Sequence, residues 1–270
     1  MPTARLDGIA LDYEDHGSGD PVVLVMGTGS YGRSWRLYQV PALVSAGYRV
    51  ITFDNRGMPP NDSPPGGVSL AAMAEDTGRL IEHLELGPAR VVGFSMGVNV
   101  VARLLLERPE SATQAVLMAG RAQVDPFGAA LNRADRDLSD SGIRLPDSYR
   151  AMVTAMRHLS PRTLRDPEAV QNWLEVFEFS PQPTGPGVRA QLDLDDHGDL
   201  RPEYEKITTP VLCIGFTDDL VVPPEATRRI AEAVPGARYT EIGDCGHYGY
   251  LERPTEVNAA MLDFFAGREA

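Results

Sequence analysis

The chain has 270 residues, 43% hydrophobic and 23% charged, which is enough apolar material for one α/β domain carrying an insertion. With 25 Lys and Arg against 38 Asp and Glu, the net charge is −13, and a field of that sign argues against nucleic-acid and membrane-surface partners. No apolar run approaches the ~20 residues of a membrane span, the polar N-terminus does not read as a signal peptide, and the two cysteines, Cys213 and Cys245, fit a reduced, cytoplasmic protein.

Ala4 to Asp15 reads as two short strands meeting at a turn around Asp7-Gly8. Pro21 to Met26 is a continuous apolar run, the mark of a strand buried on both faces, and it ends in the loop Gly27-Thr28-Gly29-Ser30. Trp35 to Ala46 is predicted as one helix, with Pro41 weakening its middle. Arg49 to Phe53 is the next strand, Asp54 to Gly57 the loop at its end, and Met58 to Gly67 is irregular from its Pro and Gly content. Ser69 caps a helix to about Leu84. A strand from Ala89, a helix from Val98 to Leu106 and a strand from Thr113 to Met118 follow.

Alternation then stops. From 121 to 206 the pattern is helical, polar and punctuated by prolines, which predicts a helical cap inserted into a core made of 1–120 and 207–270. Alternation resumes with the strand Pro210 to Ile214, a helix from Pro224 to about Val234, the strand Arg238 to Ile242 and a helix from Pro254 to about Phe265. Such alternation predicts an α/β fold with a mostly parallel, doubly wound sheet, whose sites lie beyond the carboxyl ends of the strands.

One of those ends carries Gly93-Phe94-Ser95-Met96-Gly97, between a strand and a helix. That context raises a Gly-x-Ser-x-Gly match from a string to a nucleophile elbow, with the Ser95 hydroxyl presented at the turn's apex. A bare Gly- and Ser-containing turn is the bland alternative, and the flanking elements weigh against it.

A serine hydroxyl needs a base within reach, and the base needs an orienting carboxylate. His247, in Gly243 to Tyr248 between the last strand and the last helix, is the base candidate. The other histidines, His16, His83, His158 and His197, read as solvated surface residues. His197, in an acidic run with Asp193, Asp195, Asp196 and Asp199, is the one a cap could lower into the site. Two acids compete after the strand ending near Gly215: counting from Gly215 favours Asp218, counting back from Pro223 favours Asp219. Asp219 is preferred because Leu-Val-Val-Pro fixes the start of the next helix, and Asp125 stands third. Oxyanion donors are expected from the backbone N–H groups of Met96, at a helix N-terminus, and Thr28, in the loop beside the elbow strand.

With these pieces assembled, the chain resembles the α/β-hydrolase superfamily over nearly its whole length. The resemblance rests on Val25-Met26-Gly27-Thr28-Gly29, Asp54-Asn55-Arg56-Gly57, the Ser95 elbow, Gly215 to Pro223, and Gly246-His247 with Leu251-Glu252-Arg253-Pro254. It looks most like small esterases, cofactor-free perhydrolases and hydrolases of bacterial biosynthetic clusters, and it implies the triad Ser95, Asp219, His247. The chain departs from the family in having Met26-Gly27 where His-Gly is frequent, and Met58-Pro59-Pro60-Asn61-Asp62-Ser63 where Gly-x-Ser usually follows Arg-Gly.

The expected function is hydrolysis of a carboxylic ester or thioester of a small or medium apolar substrate, without metal or cofactor, since no metal-ligand spacing or nucleotide-binding motif is visible. One alternative is a natural-product enzyme that uses the same triad for elimination, cyclisation or acyl transfer. Another is a non-catalytic small-molecule binder. In the cap, Tyr149, Met152, Met156, Trp173, Phe177 and Phe179 could line a pocket, but most are expected to pack the cap onto the core, Trp173 and Phe177 as a helical pair. Cys245 is expected to be a small buried residue. Oligomeric state is not legible.

Overall fold

The computed structural model describes residues 2–6, 8–60, 67–180, 183–194 and 197–268. The expected turn residue Asp7, much of the irregular 58–67 stretch with its Asn61-Asp62-Ser63, and two acids of the run around His197, Asp195 and Asp196, lie outside them.

Among the described residues, eight strands form one sheet: β1 (Thr3–Leu6), β2 (Ile9–Gly17), β3 (Asp20–Val25), β4 (Tyr48–Phe53), β5 (Ala89–Phe94), β6 (Ala112–Met118), β7 (Val211–Phe216) and β8 (Arg238–Ile242), in the order β1-β2-β4-β3-β5-β6-β7-β8. β1 and β2 pair antiparallel, as does β2 with β4, and every later pairing is parallel. The order reverses at β3, so the crevice beyond the ends of β3 and β5 is the topological switch point where ligands collect in such sheets.

Period-two alternation divides the core. Val23, Val25 and Val91 face one side, with α2 (Leu70–His83) and α3 (Met96–Glu107) supplying Met73, Leu80, Val101 and Leu104. Val22, Leu24 and Val92 face the other, against Leu43 of α1 (Gln39–Ser45) and Met261 and Phe264 at the C-terminal end of the chain. Ser69 caps α2, its hydroxyl accepting from the Ala72 N–H. Arg56, in the loop after β4, forms a buried two-pronged pair with Asp76 of α2 at 2.6 and 2.7 Å, tying that loop to the helix layer.

The single helix predicted over 35–46 is divided. A 3₁₀ turn covers Gly32–Leu37, Tyr38 leaves helical geometry at φ −138°, and α1 begins at Gln39. The break is tertiary: Trp35 is buried against Phe94 and Tyr250, while the Gln39 amide turns inward to donate to the Tyr250 carbonyl at 2.8 Å.

Among the described residues, six helices run between β6 and β7: α4 (Pro126–Ser141), α5 (Asp147–His158), α6 (Pro161–Arg165), α7 (Pro167–Phe179), α8 (Pro186–Gln191) and α9 (Arg201–Tyr204). Then come α10 (Pro224–Ala233) between β7 and β8, and α11 (Gly249–Glu252) and α12 (Pro254–Phe265) after β8. Within the six-helix segment a small cluster of Ala151, Ala155, Leu159 and Phe177 is completed by Trp173, whose ring centroid is 5.2 Å from that of Phe177. The expectation that most of its large apolar residues pack inward is corrected: Tyr149, Met152 and Met156 of α5 are exposed, the inward positions of that helix being taken by Ala151, Thr154 and Ala155, and Phe179 at the end of α7 is exposed as well. No helix among the described residues is long and apolar enough to cross a membrane.

Candidate active site

Ser95 is the hinge between β5 and α3. Its backbone is held at φ 55°, ψ −123°, a left-handed conformation that costs a non-glycine residue roughly 1–3 kcal/mol. Neighbours enforce it: the Ser95 N–H donates to the Met118 carbonyl of β6 at 2.9 Å, and the Ser95 carbonyl accepts from Val98 at 2.9 Å. The glycines around it are demanded by contact. A Cβ on Gly93 would strike the Gly97 carbonyl, a Cβ on Gly97 the Val25 carbonyl of β3, and one on Gly27 would lie 2.9 Å from the Ser95 Cβ. The Ser95 side chain is left partly exposed at the switch point.

His247 reaches this serine from the loop after β8. Its Nε2 is 3.1 Å from the Ser95 Oγ and its Nδ1 is 2.7 Å from the Asp219 Oδ2. Phe94 lies against the imidazole with ring centroids 4.9 Å apart. Asp219 is buried, and its second oxygen accepts from the N–H groups of Val221 and Val222, both at 2.8 Å. That leaves one carboxylate oxygen for the His247 Nδ1–H and fixes which ring nitrogen carries the proton. Of the adjacent acids, it is Asp219 that meets His247. Asp218 is partly exposed and its N–H is tied to the Cys245 carbonyl, while Asp125 caps α4 by accepting from Gly128.

Met96 is the first residue of α3, so its N–H belongs to the orphan donors of a helix N-terminus. Thr28 follows Gly27, which presses on Ser95. The Thr28 loop is held by side chains distant in sequence or in the neighbouring loop. Gln191 of α8 is buried, its amide oxygen accepting from the Gly29 N–H and its amide nitrogen donating to the Arg56 carbonyl, both at 2.8 Å. Asn55 donates to the Met26 carbonyl at 2.9 Å. Nothing in the local sequence marks Gln191, since its partners are more than a hundred residues away.

The His247 loop has its own anchor in Glu252. One carboxylate oxygen accepts from the Ser160 N–H and hydroxyl and the Thr163 hydroxyl, and the other from the Gly246 N–H at 2.7 Å. Four donors thus join the start of α6 to the residue before His247.

Two expectations for histidines are corrected. His158 is not a free surface residue: its ring stacks on Tyr248 at 4.5 Å and stands 5.8 Å from that of His247. Ala151, Thr154, Ala155 and His158 share one face of α5. His197 is partly buried rather than a solvated surface residue; its Nε2 pairs with the Asn99 amide of α3 at 3.1 Å, and Tyr204 donates to the same Asn99 at 2.9 Å. His16 is partly buried beside Glu14, and His83 is exposed. Cys245 is buried, as expected, and burial pushes its thiol well above the usual range. Among the described residues, no group of three or more His, Cys, Asp and Glu is placed to hold a metal ion.

Comparisons agree with the architecture. The model of the alpha/beta hydrolase fold family matches residues 20–254. BpoC of Mycobacterium tuberculosis, which carries the name non-heme bromoperoxidase, is 45% identical over 262 residues, covering 97% of this chain and 100% of that protein. Its crystal structure superposes with a TM-score of 0.93 over 97% of both chains. The bromoperoxidase of Bacillus anthracis gives a TM-score of 0.83 at 28% identity, over 98% of this chain and 99% of that one. RutD of Caulobacter sp. K31, named a carbamate hydrolase, is 29% identical over 289 residues and the full length of both proteins. The chain is an enzyme that belongs to the alpha/beta hydrolase fold family.

Proposed function

We propose that the protein is a serine-dependent hydrolase cleaving a carboxylic ester or thioester of a small or medium apolar substrate through an acyl-enzyme. The observation that carries this reading is the continuous relay Asp219–His247–Ser95, with contacts of 2.7 and 3.1 Å, ending on a serine held in strained geometry beside a helix N-terminus. In this reading Ser95 Oγ attacks the carbonyl carbon and His247 Nε2 takes its proton. Asp219 holds the imidazole and stabilises the imidazolium, and the N–H groups of Met96 and Thr28 receive the oxyanion. His247 then hands the proton to the leaving group, and a water activated by the same nitrogen releases the acid. Residues 121–206 act as a cap, with Gln191 pinning the oxyanion loop. The net charge of −13 favours neutral small molecules over nucleic acid.

The test is turnover of p-nitrophenyl esters from acetate to octanoate. Saturable hydrolysis is expected, falling at least about 10³-fold in Ser95→Ala and His247→Ala. Turnover that survives both substitutions would remove the triad reading. The relatives named bromoperoxidases favour a second outcome from the same acyl-enzyme, in which hydrogen peroxide replaces water and a peracid leaves. Peracid release on adding peroxide to the ester assay separates the two.

A further inference from the structure

His158 stands beside His247, ring centroids 5.8 Å apart, and the hydrolytic steps leave it unused. The stripe Ala151, Thr154, Ala155 turns toward the His247 loop, and His158 ends it. The segments are locked together: the His158 carbonyl accepts from the Tyr248 N–H at 3.0 Å, and a Cβ on Gly246 would lie 2.6 Å from that carbonyl oxygen. Stacking on Tyr248, with an interplanar angle of 18°, fixes the ring plane.

The ring's proton is also assigned. Nδ1 lies 2.8 Å from the Thr154 carbonyl oxygen, which can only accept, so Nδ1 carries the hydrogen. Burial, and then the neighbouring His247, lower the pKa to about 3, so the imidazole is neutral at pH 7. Nε2 is then a bare lone pair. Among the described residues it has no protein partner, and the residue as a whole is partly buried. A fixed acceptor that can donate nothing selects for a donor. It adjoins His247, which delivers the proton to the departing oxygen, so the donor belongs on the leaving-group side.

We propose that His158 is a specificity residue whose Nε2 accepts a hydrogen bond from a hydroxyl on the leaving alcohol, making short-diol monoesters the preferred substrates. This rests on the ester-hydrolase reading above and refines it. An alkyl chain in the same place would leave the lone pair desolvated and unpaired, which is the stronger source of discrimination.

The experiment compares kcat/KM for 3-hydroxypropyl butyrate and its near-isostere n-butyl butyrate, in wild type, His158→Phe and His158→Leu, neither of which offers an acceptor, with thermal melts of all three. Wild type is expected to prefer the hydroxy ester by about five- to tenfold, and the ratio to fall to about one or below in both variants, whatever their absolute rates. If His158→Phe does not fold, the His158→Leu ratio decides. Turnover of both esters with no hydroxyl preference in wild type, or a preference that survives substitution, overturns the proposal and leaves the ester reading standing. Turnover of neither ester, with no covalent labelling of Ser95 by a fluorophosphonate, removes the ester reading and this proposal with it.

Discussion

Asp218 and Asp219 are chemically identical neighbours, and only the turn after β7 separates them. Asp219 is buried with both oxygens in use, one on His247 and one on two backbone N–H groups, whereas Asp218 is partly exposed. Asp219→Asn is therefore expected to lower kcat by about 10³- to 10⁴-fold, because an amide no longer holds the required tautomer. Asp218→Asn should stay within a few-fold of wild type, and parallel steady-state assays check both. His158 supplies a second residue-level prediction, in stability. Its native pKa is about 3 against 6.5 in the free side chain, and the groups facing it are His247, Tyr248 and Arg157. Below pH 6.5 the unfolded chain binds a proton there that the native state does not. Its contribution is thus complete above about pH 6.5 and falls as the pH drops toward 3, by up to about 1.4 kcal/mol per pH unit. Urea midpoints at pH 7.5 and 5.0 should converge in His158→Asn relative to wild type.

At the scale of elements, the Glu252 carboxylate joins α6 to the His247 loop through four donors. Glu252→Ala leaves those donors without their acceptor and is expected to cost about 2–3 kcal/mol in urea unfolding, with a fall in kcat as the loop loosens. Glu252→Gln, which keeps one carbonyl oxygen, should lose less. Gly97→Ala would drive a methyl into the Val25 carbonyl and should destabilise by about 1–3 kcal/mol. The parallel strands were legible because β3, β5 and β7 are apolar runs buried on both faces, and the elbow was legible because its glycines are local requirements. The break at Tyr38 was not, since Gln39 is turned by the Tyr250 carbonyl, more than two hundred residues away. His158 and Gln191 escaped for a similar reason. Their partners, Tyr248 and the Thr28 loop, are set by how the helices between β6 and β7 settle on the sheet, which no local pattern encodes.

For the whole molecule, the net charge of −13 predicts how substrates approach. An ester with a free carboxylate should show a lower kcat/KM than its neutral methyl ester at low ionic strength, and the gap should narrow as salt screens the field. A gap independent of salt would place the discrimination in local contacts instead. The proposed mechanism requires that Ser95, activated by His247 and Asp219, become covalently acylated. The most direct measurement is intact mass after treatment with a fluorophosphonate, on wild type, Ser95→Ala and His247→Ala. A single adduct is expected on wild type, located at Ser95 by peptide mapping, absent from Ser95→Ala and strongly slowed in His247→Ala. No adduct on folded wild type, or an adduct that persists in Ser95→Ala, would contradict that mechanism.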